Sequence, residues 1–147
     1  MENIIREKRN FFSPKNRRKI LAGWSREYKK GFLSFFILTF LLEKPMYGYE
    51  IHQRLAELLG RDGFIQGSSI YQILKKFQKM RLVSSYWQAS PQGPKRRYYQ
   101  LNDSGVALLE EFAQETAFPA IRAAVVLGQT HYPRLWNERL IKLGEED

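Results

Sequence analysis

The sequence predicts a mainly helical fold with one small β-hairpin (α+β), and three stretches predict it. From Gly67 onward, apolar residues recur at Ile70, Ile73, Leu74, Phe77 and Met80, the spacing of one helix face. From Val83 the pattern becomes an alternation of period two through Ser85 and Trp87. It stops at the tip Pro91-Gln92-Gly93-Pro94 and resumes through Arg97, Tyr99 and Leu101, as a half-buried hairpin does. Ahead of both, residues 46–59 carry Tyr49, Ile51, Leu55, Leu58 and Leu59 on a second helical pattern closed by Gly60. Two short helices followed by a hairpin are the plan of a winged helix-turn-helix, whose second helix enters the major groove.

Charge falls where that plan needs it. The chain of 147 residues has a net charge of +9. Residues 1–30 hold 10 Lys/Arg against 3 acids, and residues 61–100 hold 8 against 1. Residues 31–60 are nearly neutral, and residues 101–147 hold 4 against 8. Positive charge focused on one module is an electrostatic footprint for a polyanion. A solvated basic surface or an anionic membrane surface is the plainer reading, but the charge coincides with a groove-sized helix and a wing.

The same composition excludes several chemistries. With no cysteine, there is no disulfide framework, thiolate metal site or thiol nucleophile. The two histidines, His52 and His131, lack a third ligand at metal spacing, so neither a metal nor a cofactor is expected. Asp62 is the only acid between residues 61 and 100, and no Ser-His-Asp arrangement or glycine-rich phosphate loop is present, so an enzyme is not expected. The longest apolar run, residues 32–42, falls short of the ~20 residues that span a bilayer. No signal-peptide pattern opens the chain, so a cytoplasmic, nucleoid-associated protein is expected.

Taken in order, three regions emerge: a basic N-terminal arm (1–30), a winged helix-turn-helix domain (31–101) and a C-terminal helical dimerisation region (102–147). In the arm, Ser13 can cap a short helix with Pro14 at its first position. Lys15, Arg17, Arg18 and Lys19 then form a cluster for DNA phosphates, although a basic tail or a helix docked through Ile20, Leu21 and Trp24 fits equally. Residues 31–44 are apolar nearly all round, so they need cover on several sides. A symmetric dimer would supply it through Phe32, Phe35, Phe36 and Phe40. Ser68 or Ser69 can cap the helix after Gly67. Asn102, Asp103 or Ser104 can cap the next one, where Leu109 and Phe112 share a face. Pro119 kinks or interrupts that helix before Ile121 and Val125, and these four apolar residues complete the expected dimer interface.

The landmarks Tyr47-Gly48-Tyr49-Glu50-Ile51, Ser69-Ile70-Tyr71 with Leu74, Leu82-Val83, Trp87, Arg96-Arg97-Tyr98-Tyr99, and Leu101 with Gly105 and Leu109 follow one another in a characteristic order. On them, residues 31–109 resemble the PadR family of winged-helix transcription regulators. The resemblance implies a homodimer that binds a roughly palindromic operator on double-stranded DNA and usually represses. It also implies room for a small-molecule effector at the dimer interface, which Trp24, Trp87 or Trp136 could line if they are not packing residues. The basic arm lies outside the resemblance.

On this reading two recognition helices enter successive major grooves about 34 Å apart. Ser68, Ser69, Tyr71 and Gln72 stand at the helix N-terminal end, where Gln72 can pair bidentately with adenine. Lys75 and Lys76 hold phosphates, and Gln92, Lys95, Arg96 and Arg97 form the wing contact. The rival readings are a non-specific architectural DNA-binding protein and an RNA-binding winged helix.

Overall fold

The computed structural model describes residues 13–60 and 67–140, and the chain divides into two compact units, one ending at Leu101 and the other beginning at Asn102. The first unit opens on a single 30-residue helix, α1 (Pro14–Glu43). Ser13 caps it, its hydroxyl accepting from the Asn16 N–H at 3.2 Å, and Pro14 occupies the first turn, where its missing N–H costs nothing. The short capped helix and the apolar helix expected from residue 31 are therefore one element, because neither Gly23 nor Gly31 terminates it.

The C-terminal half of α1 supplies Leu33, Ile37, Leu38, Phe40 and Leu41 to the core. Pro45 follows, and the chain turns into a two-residue strand, β1 (Met46–Tyr47), before helix α2 (Gly48–Leu59). Residues 46–59 read as one helix in the sequence, but Met46 and Tyr47 are extended. They hydrogen-bond to the wing instead, burying Met46 completely. Gly60 closes α2 with φ +70°, a conformation that favours glycine, and its N–H bonds to the Ala56 carbonyl.

Helix α3 (Gly67–Lys79) buries Ile70, Leu74 and Phe77, with Ile73 half-buried. It already includes Ser68 and Ser69 in its first turn, so neither serine is the residue before the helix. Met80 is exposed rather than part of the buried stripe, because the helix has ended. Arg81 adopts φ +58° just beyond it; its N–H bonds to the Gln78 carbonyl, and the Leu82 N–H to the Phe77 carbonyl. That pair is the Schellman closure of a helix.

Strands β2 (Val83–Gln88) and β3 (Arg96–Leu101) pair antiparallel from Val83–Leu101 to Gln88–Arg96. Strand β1 adds to the other side of β3, giving a three-stranded sheet in the order β1-β3-β2. Alternation puts Met46, Val83 and Tyr99 on the buried face. Tyr47, Tyr98 and Tyr86 lie on the other face, with ring centroids 5.4 Å (Tyr47–Tyr98) and 5.7 Å (Tyr86–Tyr98) apart.

The second unit begins at α4 (Asp103–Phe112), capped by the Asn102 side chain accepting from the Gly105 N–H at 2.9 Å. A π-helical segment, Ala113–Ala117, leads into α5 (Phe118–His131) with helical backbone at both junctions. The interruption expected at Pro119 takes this form. A proline inside a helix lacks a donor and crowds the preceding turn, and widening that turn to π geometry relieves both. Helix α6 (Pro133–Leu140) then folds back so that the Trp136 indole lies directly on Gly128, leaving no room there for a side chain. No helix among the described residues is long and apolar enough to cross a membrane.

Candidate nucleic-acid interface

The exposed side of α3 and the adjoining wing form one cationic surface. With Ile70, Leu74 and Phe77 turned inward, helical geometry directs Tyr71, Gln72, Lys75, Lys76 and Lys79 outward, and all five are exposed. Ser69 is half-buried, and the side chain of Ser68 lies outside the described set. A groove of about 510 Å³ lies between α3 and the wing, lined by Tyr71, Lys75, Gln78, Lys79, Arg97 and Tyr99. Three cations, one amide and two phenol rings in one open trough can hold phosphate oxygens and the sugar edge beside them.

Tyr71 owes its place to Gly48. A Cβ built on Gly48 would come within 2.6 Å of the Tyr71 ring and 2.7 Å of its hydroxyl oxygen. The ring thus lies across the start of α2 and presents its other face outward, 53% exposed. Burial pushes the Tyr99 phenol above its usual pKa, against the opposing charge of Arg97.

The wing residues divide into different roles. Gln92 and Lys95 are exposed at the tip, where Gly93 takes φ +125°. Arg97 points toward α3. Its Nε donates to the Ser85 hydroxyl at 3.0 Å and its Nη2 to the Gln78 carbonyl oxygen at 3.2 Å, while the Gln78 amide donates to the same hydroxyl at 3.1 Å. This triangle ties α3, β2 and β3 together, and the guanidinium also lies 5.7 Å from the Tyr99 ring centre. Arg96 points the other way, its guanidinium 4.6 Å above the Tyr47 ring. Two of the three wing cations named by sequence are thus engaged within the protein. Sequence reasoning did not name Gln78, and it placed Lys79 on the basic face of this helix without counting it among the DNA contacts, although Lys79 stands one helical turn beyond Lys75 and Lys76.

Lys15, Arg17, Arg18 and Lys19 are exposed on the first turns of α1, well before its buried half. Of the apolar residues expected to meet a partner, Phe40 and Leu109 are already buried in the single chain, 6% and 4% exposed, and Arg54 caps the Phe40 ring at 4.9 Å. Phe32, Phe35, Phe36 and Val125 are half-buried, and Phe112 and Ile121 are exposed.

Comparison with known proteins agrees with this geometry. Residues 37–111 match the transcriptional regulator PadR-like family. An uncharacterised protein from Lysinibacillus sphaericus is 32% identical over 88 residues, covering 60% of this chain and 81% of its own. The crystal structure of a PadR-like transcriptional regulator from Bacillus cereus is 34% identical with a TM-score of 0.59, covering 69% of this chain and 96% of that one. A PadR family transcription regulator from Clostridium difficile is 31% identical with a TM-score of 0.56, covering 66% and 99%. Bacillus subtilis PadR, crystallised with operator DNA, is 28% identical with a TM-score of 0.50, covering 54% of this chain and 46% of its own. With its winged-helix fold and a family match over half its length, the chain belongs to the PadR-like family of transcriptional regulators.

Proposed function

We propose that the protein is a dimeric, sequence-specific regulator that binds double-stranded DNA at a two-fold symmetric operator and represses transcription there, as a cytoplasmic, nucleoid-associated protein. The observation that carries this reading is the shared surface of α3 and the wing, where Tyr71, Gln72, Lys75, Lys76 and Lys79 stand outward together. Gln72 and Ser69 read base edges at the N-terminal end of α3, and Lys75, Lys76 and Lys79 hold the backbone. Gln92 and Lys95 extend the contact from the wing tip. Arg97 positions the wing on α3, and Arg96 does so on β1. The operator complex of the Bacillus subtilis relative supports duplex DNA as the partner.

The dimer pairs the half-buried phenylalanines Phe32, Phe35 and Phe36 and the exposed apolar residues Phe112 and Ile121. Residues 1–30 serve as a basic arm, 31–101 as the DNA-binding domain and 102–147 as the dimerisation region. A small-molecule effector, if one acts, enters at that interface. An architectural binder is the second reading, favoured by the basic cluster Lys15, Arg17, Arg18 and Lys19 outside the recognition surface. Competition against random duplex separates the two. A regulator prefers its operator by ~10³ or more, whereas an architectural protein does not discriminate.

A further inference from the structure

Arg97 is held in place without being neutralised. Residues 63–100 contain no Asp or Glu, and Arg97 forms no ion pair among the described residues. Arg54 is the contrast, since its guanidinium grips the Glu43 carboxylate with two bonds. The groups that hold Arg97 are neutral: the Ser85 hydroxyl at 3.0 Å and the Gln78 carbonyl oxygen at 3.2 Å, both on half-buried side chains. Those two bonds use the Nε–Nη2 edge of the guanidinium, and the Nη1 end takes no part in them.

Two rings flank the same group. Side chains alternate across a strand, so Arg97 and Tyr99 share one face of the sheet with their cross-strand partners Trp87 and Ser85. The guanidinium lies 6.0 Å from the Trp87 ring centre and 5.7 Å from that of Tyr99. Tyr99 is buried, but Trp87 is 65% exposed. An indole this exposed adds little to the core, and it brings an N–H donor to the same face as the cation. Arg97 also lines the groove that holds Lys75 and Lys79 of α3. A charged fork with one edge fixed and its end open to a cationic trough suits a phosphate. Ordering the side chain on folding removes that cost from binding.

We infer that Arg97 and Trp87 form a backbone-phosphate site on the α3-facing side of the wing. The end of the Arg97 guanidinium grips one phosphate, and the Trp87 N–H donates to the backbone beside it. Gln78 and Ser85 are positioning residues that act through Arg97. The site takes duplex backbone rather than unpaired bases, because the Arg97 guanidinium already lies over one face of the indole. This rests on the DNA-binding reading above and adds to it one contact residue, Trp87, and two positioning residues.

A random-sequence duplex is the probe, because a backbone contact carries no sequence information. In the full-length variant Trp24→Phe/Trp136→Phe, Trp87 is the one remaining tryptophan, and saturating duplex should quench its emission. Trp87→Phe, in the otherwise native chain, keeps a ring beside Arg97 but loses the N–H, and should weaken binding about threefold. Arg97→Ala should flatten the dependence of log K on log salt by ~1, whereas Arg97→Lys should keep the slope. Gln78→Ala and Ser85→Ala should each weaken binding about threefold with the slope unchanged. Neither should matter further in an Arg97→Ala background, and Ser85→Thr, which retains the hydroxyl, should bind as wild type. All variants are compared below their melting temperatures. Trp87 emission indifferent to duplex, or an undiminished slope in Arg97→Ala, would overturn the site. Unchanged binding in both Gln78→Ala and Ser85→Ala would overturn the positioning role. A stronger quench by single-stranded DNA than by duplex would overturn the site in favour of a platform for unpaired bases. A wild type that binds no duplex even at low salt would instead overturn the DNA-binding reading itself.

Discussion

Tyr71 lies across Gly48, so the first turn of α2 decides where a recognition-helix side chain stands. Replacing Gly48 with Ala would put a Cβ 2.6 Å from the Tyr71 ring. The ring is more than half exposed and can swing away, so the fold should survive with little change in Tm. The Tyr71 hydroxyl and ring would leave the groove, however. We expect Gly48→Ala to weaken operator binding by about tenfold (about 1.4 kcal/mol). Gly48→Ala should have no further effect in a Tyr71→Ala background, because the two residues act through one contact. Fluorescence anisotropy on a labelled operator checks both.

Arg97 illustrates what a sequence conceals. A basic residue leaving the wing reads as a DNA contact, whereas the structure has it donating to Ser85 and Gln78. A lysine keeps the charge but not the fork. Arg97→Lys should therefore lower stability nearly as much as Arg97→Ala, by about 1 kcal/mol per bond lost. A thermal-unfolding series over the two variants tests this, since a pure phosphate contact would leave Tm unchanged in both.

Lys75 makes no such bond among the described residues. Lys75→Ala should weaken binding to every duplex about equally and flatten the dependence of log K on log salt by ~1. A changed sequence preference with the slope intact would make Lys75 a base reader.

Much of the fold was legible because its signals are local. The period of 3.6 through Ile70, Leu74 and Phe77, the alternation around Tyr99, the Ser13-Pro14 start and the Asn102 cap are each written within a few residues. What escaped depends on distant partners. Met46 and Tyr47 look helical until β3 offers them hydrogen bonds. The capped start at Ser13-Pro14 and the apolar run from residue 31 look like separate helices, yet α1 runs unbroken from Pro14 to Glu43. Within the recognition surface, Tyr71 and the lysines follow from helix phase alone, but the inward turn of Arg97 needs the positions of Gln78 and Ser85. The connection at residues 61–66 and the acid Asp62 lie outside the described residues.

Arg81 closes α3 in the left-handed region without being a glycine. Arg81→Gly should stabilise the fold by about 1 kcal/mol, relieving the Cβ strain while keeping the Schellman bonds. Chemical denaturation measures this, and a loss of stability would mean that the Arg81 side chain contributes more than its backbone costs.

Glu43 and Arg54 form a bidentate pair at 2.9 and 3.1 Å, and the hydrogen bonds from Arg54 hold the Glu43 carboxyl below its usual pKa of 4.5. A carboxyl depressed by folding contributes stability above its unfolded pKa and loses it as pH falls through the folded value. The Tm difference between wild type and Glu43→Gln should thus be present at pH 7 and close below pH 4.5, a small effect for an exposed pair.

The most direct measurement is selection of bound DNA from a random duplex pool by the full-length protein at moderate salt. A dimer presenting two α3 helices predicts a two-fold symmetric motif with half-sites about one turn, ~34 Å, apart. Its enrichment should be lost in Gln72→Ala. Enrichment without any motif, with affinity collapsing as salt rises, would contradict sequence-specific regulation and make the protein a non-specific DNA binder.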